Sequence, residues 1–124
     1  MAGPLLFAYG TLRDALQRDV VLHSAPTREL GTGSAAGVLY DLGNYPGLVS
    51  GASDERVPGV VVELPDDAAL TRLDAYEDIV NGLFVRRRTT VRLDAGGDVE
   101  AWVYLYNRSV RGRRRITSWG DATE

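Results

Sequence analysis

"VEAWVYLYN", residues Val99–Asn107, is apolar on both of its faces. Side chains alternate along a strand. Ala101, Val103 and Leu105 therefore share one face, and Trp102, Tyr104 and Tyr106 share the other. A strand with one face in water would carry polar residues at alternate positions. This one needs cover on both sides, as a barrel strand beside a helix does. Packing alone accounts for its aromatic residues.

The neighbouring segments supply such surroundings. "FVRRRTTVRL" (Phe84–Leu93) reads as a strand, and "DAGGD" (Asp94–Asp98) as the turn that makes an antiparallel hairpin with Val99–Asn107. "VPGVVVELP" (Val57–Pro65) is β-branched and bounded by prolines, a strand. "PLLFAY" (Pro4–Tyr9) is a short apolar run before a glycine, the pattern of a buried strand. "RELGTGSAAGVLYDLG" (Arg28–Gly43) reads as two short strands with a turn near Thr32–Gly33, and Asn44–Ser53 as a loop with a small extended piece.

"DDAALTRLDAYED" (Asp66–Asp78) is a helix capped by Asp66, with Asp67 in the first turn and an apolar stripe of Ala69, Leu70, Leu73 and Tyr76. "RDALQRDVVLHSA" (Arg13–Ala25) reads as a shorter one. The count is about six strands and two helices, in the order strand, helix, strands, helix, strands. It predicts an α+β domain with a mostly antiparallel sheet or small barrel, not a doubly wound one. We expect one domain over 1–124, with 109–124 as a basic and polar C-terminal tail in which Trp119 is a late apolar anchor.

Composition limits the chemistry. The 124 residues include no cysteine, and all 14 basic residues are arginine. Lysine Schiff bases and thiol nucleophiles are excluded, as are thiolate metal sites. A lone histidine, His23, argues against a His-based metal site or a Ser-His-Asp triad, and is most simply a surface or helix-end residue. Carboxylates, hydroxyls, arginines and backbone dipoles remain. The net charge of −3 argues against a general nucleic-acid binder. "RGRRR" (Arg111–Arg115) is a polyanion site or, more simply, a solvated basic tail. "MAGPLLFAYG" lacks a basic leader, and its apolar run is too short for a signal peptide or a membrane span. With no cysteine, a cytoplasmic protein without membrane attachment is the expectation.

Two features could carry chemistry. In "FAYGTLRD" (Phe7–Asp14) a strand stops at Tyr9-Gly10-Thr11-Leu12. A positive φ at Gly10 would let successive N–H groups converge on a carboxylate or a developing oxyanion. An ordinary strand-to-helix turn is the plainer reading. The loop lacks the spaced glycines and lysine of a nucleotide-phosphate loop. The second feature is Glu77. Leu70, Leu73 and Glu77 fall at i, i+3 and i+7, which puts this carboxylate on or beside the apolar stripe near the helix C-terminus. Burial and the helix dipole would both push its pKa upward, as a general acid–base requires. If the helix ends at Tyr76, Glu77 is instead solvated. Asp74 is expected to face away, and Asp78 to be a loop or cap residue. Tyr40 and Tyr45 either line a pocket or pack on the barrel. Arg86 could pair with Glu77 or with a substrate carboxylate, while one or two of Arg86, Arg87 and Arg88 must face solvent. Glu100, near the hairpin turn, is expected to be exposed.

Together these segments resemble the γ-glutamylcyclotransferase-like superfamily, and within it the small AIG2-like and γ-glutamylamine cyclotransferase-type proteins. The resemblance runs through "FAYGTLR", "GVLYDLGNYPGLV", "LDAYEDIVNGLFVRR", "WVYLYN" and "ITSWGD", in that order and over nearly the whole chain. It implies a small mixed, mostly antiparallel β-barrel with flanking helices, without metal or organic cofactor, acting on a small γ-glutamyl molecule. The implied reaction is attack of the substrate's own α-amine on its γ-glutamyl carbonyl, giving 5-oxoproline and a released amine or amino acid. By matching position, Glu77 is the general acid–base, and Tyr9, Gly10, Thr11 and Leu12 hold the glutamyl group, largely through backbone N–H. Arg86 matches the family's arginine after the aromatic. Phe84 stands where related proteins often carry tyrosine, and "EDIV" replaces the more usual Glu-Gly. A carboxylate-binding or interaction module without catalysis is the alternative on the same fold. An intramolecular attack needs no protein nucleophile. It needs a folded substrate, one tuned carboxylate and N–H donors near the oxyanion.

Overall fold

In a computed structural model, residues 3–10, 27–43, 45–50, 55–76 and 82–117 are described. The expected helix at Arg13–Ala25 lies outside them, as do His23, Asp78 and Trp119. The strands are β1 (Leu5–Ala8), β2 (Arg28–Ala36), β3 (Val38–Asp41), β4 (Pro46–Val49) and β5 (Arg56–Glu63). Helix α1 (Asp67–Tyr76) follows, then β6 (Phe84–Leu93), β7 (Asp98–Tyr106) and β8 (Arg114–Ile116). No helix among the described residues is long and apolar enough to cross a membrane.

The sheet closes on itself. Its order is β1-β5-β2-β6-β7, and β1 returns to β7 through a parallel bridge between Leu6 and Trp102. These five strands form a barrel. From β7 the sheet continues outward through β4, β3 and β8. All pairings are antiparallel except β1–β7 and β4–β7. The mixed, mostly antiparallel barrel is the expected one.

Strand β7 has the two-sided cover that its sequence demanded. Val103 and Ala101 join Phe7, Val61 and Val91 inside the barrel. Tyr104 faces outward into a second cluster with Leu6, Ala8, Val62, Leu70, Leu73 and Phe84. Trp102 and Tyr106 are packed at the margin of that cluster. Strand β1 divides in the same way: Phe7 points in, while Leu6 and Ala8 point out. Helix α1 lies over the outer cluster and buries Ala69, Leu70 and Leu73. Its start is capped as its sequence implied, with the Ala69 N–H donating to Asp66 Oδ1 at 3.0 Å. The β6–β7 hairpin also follows the sequence, in register from Phe84↔Tyr106 to Arg92↔Asp98.

Three expectations need correction. Thr32–Gly33 is no turn: β2 runs through it, with one irregularity between Glu29 and Gly31. A side chain at Gly33 would collide with the Arg92 carbonyl, 2.6 Å from where its Cβ would sit. This glycine serves a close approach of β2 to β6. The break comes at Gly37, where φ is +151° and a Cβ would meet the Leu48 side chain at 2.8 Å. Eight strands are present among the described residues, not about six. Lastly, the arginine-rich segment is partly built into the sheet. Strand β8 pairs with β3, Arg114 bridges to Asp41 at 3.2 Å, and Arg115 pairs with Glu55.

Candidate functional site

One end of the barrel gathers the sequence-distant segments. Strand β1 runs parallel to β7, so its exit at Tyr9-Gly10 lies towards the Tyr104–Tyr106 end of β7. The antiparallel β6 begins there, at Phe84. Strand β4, parallel to β7 through Leu48↔Leu105, contributes Pro46 and Leu48. Helix α1 delivers its last turn to the same end, since Asp74 touches both Arg86 and Tyr104.

Tyr9 is buried, with only 7% of its surface exposed. Its hydroxyl donates to the Tyr104 carbonyl at 2.5 Å and accepts from the Leu48 N–H at 3.2 Å. The side chain thus links the backbones of β7 and β4 and fixes where β1 ends. Gly10 does not have the positive φ expected of it. A different constraint acts here: a Cβ at this position would lie 2.9 Å from Pro46 Cγ. The missing side chain lets β1's exit press against the start of β4. Thr11 and Leu12 lie outside the described residues, as does Glu77.

An aromatic row borders this end. The Tyr45 and Phe84 rings are 6.0 Å apart, and those of Phe84 and Tyr106 are 5.6 Å apart, edge to face. Phe84 is buried, whereas Tyr45 is 37% exposed. Tyr45 therefore packs on one side and meets solvent on the other. Tyr40 is half-buried on β3, in the sheet extension beyond the barrel.

Asp74 does not face away. Arg86 donates to it from Nε at 2.9 Å and from an Nη at 3.3 Å, and the Tyr104 hydroxyl donates at 2.7 Å. The helical period explains this: Asp74 is four residues after Leu70, and i+4 lies on the same face as i. The spacing that drew attention to Glu77 held this signal too. Among the described residues, Arg86 takes Asp74 as its partner, and its guanidinium lies 4.4 Å from the centre of the Trp102 ring. Arg87 and Arg88 are both exposed, two of the three arginines as expected, and Glu100, also exposed, accepts a hydrogen bond from Thr90. No group of three or more His, Asp or Glu among the described residues is placed to hold a metal ion. A cleft of about 430 Å³ opens elsewhere, on the outer face of β6 and β7. Its Arg56, Arg88 and Arg92 are partly offset by Asp98 and Glu100, and it shares none of the expected site residues.

A family model described as "Gamma-glutamyl cyclotransferase, AIG2-like" matches residues 6–121. The chain belongs to this family. A gamma-glutamyl cyclotransferase-family relative in Vibrio cholerae, named "Putative gamma-glutamylcyclotransferase", is 38% identical over 118 residues, 94% of this chain and 93% of the relative. In Niallia circulans, "Gamma-L-glutamyl-butirosin B gamma-glutamyl cyclotransferase" is 34% identical over 122 residues, 94% of this chain and 75% of the relative. Among solved structures, an AIG2-like protein from Mus musculus superposes with a TM-score of 0.77 at 26% identity, over 93% of this chain and 86% of that one. The AIG2-like family fold accordingly extends over nearly all of the chain.

Proposed function

We propose that this protein releases 5-oxoproline from a small γ-glutamyl amine or amino acid, with Glu77 as the general acid–base. The α-amine nitrogen of the substrate bonds to its own γ-carbonyl carbon, and the former amide C–N bond breaks. The α-ammonium sheds two protons on becoming the lactam N–H; Glu77 takes each in turn and passes it to the leaving nitrogen, which departs as an ammonium group. Atoms balance without water, metal or a covalent enzyme intermediate.

The observation that carries this reading is the meeting of two distant motifs at one barrel end. Tyr104 holds Tyr9, where "FAYG" leaves β1, and Asp74, three residues before Glu77. That convergence supports a shared site for the Tyr9–Leu12 loop and the carboxylate. In this reading Tyr9 anchors the cradle through its buried phenol, and the amides from Gly10 to Leu12 face the glutamyl group and its oxyanion. Tyr45 borders the leaving group. Arg86 acts through Asp74.

The test is 5-oxoproline release by the purified protein across a panel of γ-glutamyl amines and amino acids. Glu77→Gln is expected to reduce kcat about 10²- to 10⁴-fold, the usual share of general acid–base catalysis, with the thermal transition unchanged. Wild-type activity in Glu77→Gln would refute the assignment. Ligand binding by the wild type with no turnover of any panel member would favour the non-catalytic module.

A further inference from the structure

We propose that Asp74, Arg86 and Tyr104 form a positioning group that sets the proton-transferring carboxylate against the glutamyl cradle, a proposal that rests on Glu77 as the acid–base. Tyr104 is the common member. Its backbone carbonyl receives the Tyr9 hydroxyl on the inner face of the barrel, and its phenol donates to Asp74 on the outer face. One residue of β7 therefore touches both halves of the site.

The need for such a group follows from how α1 is held. Its apolar contacts, through Ala69, Leu70 and Leu73, are non-directional and leave rotation and sliding of the helix weakly specified. Directional contacts come from Asp74, in the last turn. The Arg86 fork fixes both carboxylate oxygens, and Tyr104 adds a third bond. The Arg86 guanidinium itself packs against the Trp102 ring, 4.4 Å from its centre. A carboxylate in this turn is opposed by the helix dipole, and α1 has no basic residue of its own there to offset it. The Asp74 and Arg86 side chains are 27% and 26% exposed, so the pair adds little to the stability of the whole domain, and what it holds is the local placement of the last turn of α1. Geometry is the better account of a costly charge in this place. A misplacement of about 1 Å in a reacting group can cost roughly 10²-fold in rate.

The experiment is steady-state 5-oxoproline release by Asp74→Asn, Arg86→Gln, the double variant and Tyr104→Phe, beside Glu77→Gln and Arg115→Ala. Each single change in the group should lower kcat about 10- to 100-fold and leave KM within about threefold. The two amides that the double variant introduces can hydrogen-bond to each other, so it should lose less than the product of the singles. Arg115→Ala should match wild type. A rise in KM at unchanged kcat for Arg86→Gln would make Arg86 a substrate contact and overturn the proposal. Unchanged kcat in Asp74→Asn, with Glu77→Gln inactive, would refute the positioning role alone. Full activity of Glu77→Gln, or no turnover by wild type, would remove the acid–base reading and this proposal with it. Hydrogen exchange supplies a second measurement: Asp74→Asn should speed exchange in a peptide covering 67–82 and leave the barrel strands unchanged. Unchanged exchange in that peptide would overturn the proposal.

Discussion

The barrel interior and the layer beneath α1 each contain a buried tyrosine whose hydroxyl is hydrogen-bonded, but the two bonds do different work. Inside, Tyr9 joins one strand backbone to another. Outside, Tyr104 joins a strand to a helix through the carboxylate of Asp74. Strands already hold one another by backbone hydrogen bonds. A helix spends its backbone bonds on itself, so its placement on a sheet rests on side chains. The barrel can therefore be fixed by packing and register. The helix needs a polar clamp as well, and the clamp sits where function demands precision.

The sharpest way to break this contrast is to cut into each layer. Phe7→Ala should cost about 3–5 kcal/mol and lower the denaturant midpoint of the whole domain, because its fully buried ring lies inside the closed barrel. Leu73→Ala should cost about 2–5 kcal/mol, but with local opening of α1 visible by hydrogen exchange before the barrel yields. If both variants expose the same amides together, the two layers are one cooperative unit. Tyr9→Phe should come next, at about 1–3 kcal/mol, since the buried Leu48 N–H loses its acceptor. An unchanged denaturant midpoint would mean that the bridge between β4 and β7 contributes nothing. Smallest of all is Arg115→Ala, which removes a pair with Glu55 whose side chains are 55% and 54% exposed. About 0–1 kcal/mol is expected, and a larger loss in chemical denaturation would show that β8 braces the fold.

Much of the fold was legible because its signals are local. Two-sided hydrophobicity in β7, the cap of α1 and its stripe of Ala69, Leu70 and Leu73 (though not the exposed Tyr76), and the glycine turn of the β6–β7 hairpin each sit within about a dozen residues. Glycine was ambiguous in β2, since crowding and turning call for the same residue. Strand β8 has no apolar pattern to read: its partner β3 supplies the register, and two of its three residues are arginines. At the site, the stretch around Tyr9 stood out, but its hydroxyl partners could not, because Tyr104 is 95 residues away. Asp74 is a different case: charge favours an outward side chain, but its spacing of four from Leu70 puts it against the sheet.

Strand β8 also has a consequence for the protein in a crowded solution. Among the described strands it ends the sheet, pairing with β3 alone, whereas the five barrel strands have neighbours on both sides. An open strand edge invites pairing with another chain, and shortness and charge are what discourage it. This edge spans three residues and begins with Arg114 and Arg115. Copies of the protein that approach edge to edge would bring arginines against arginines.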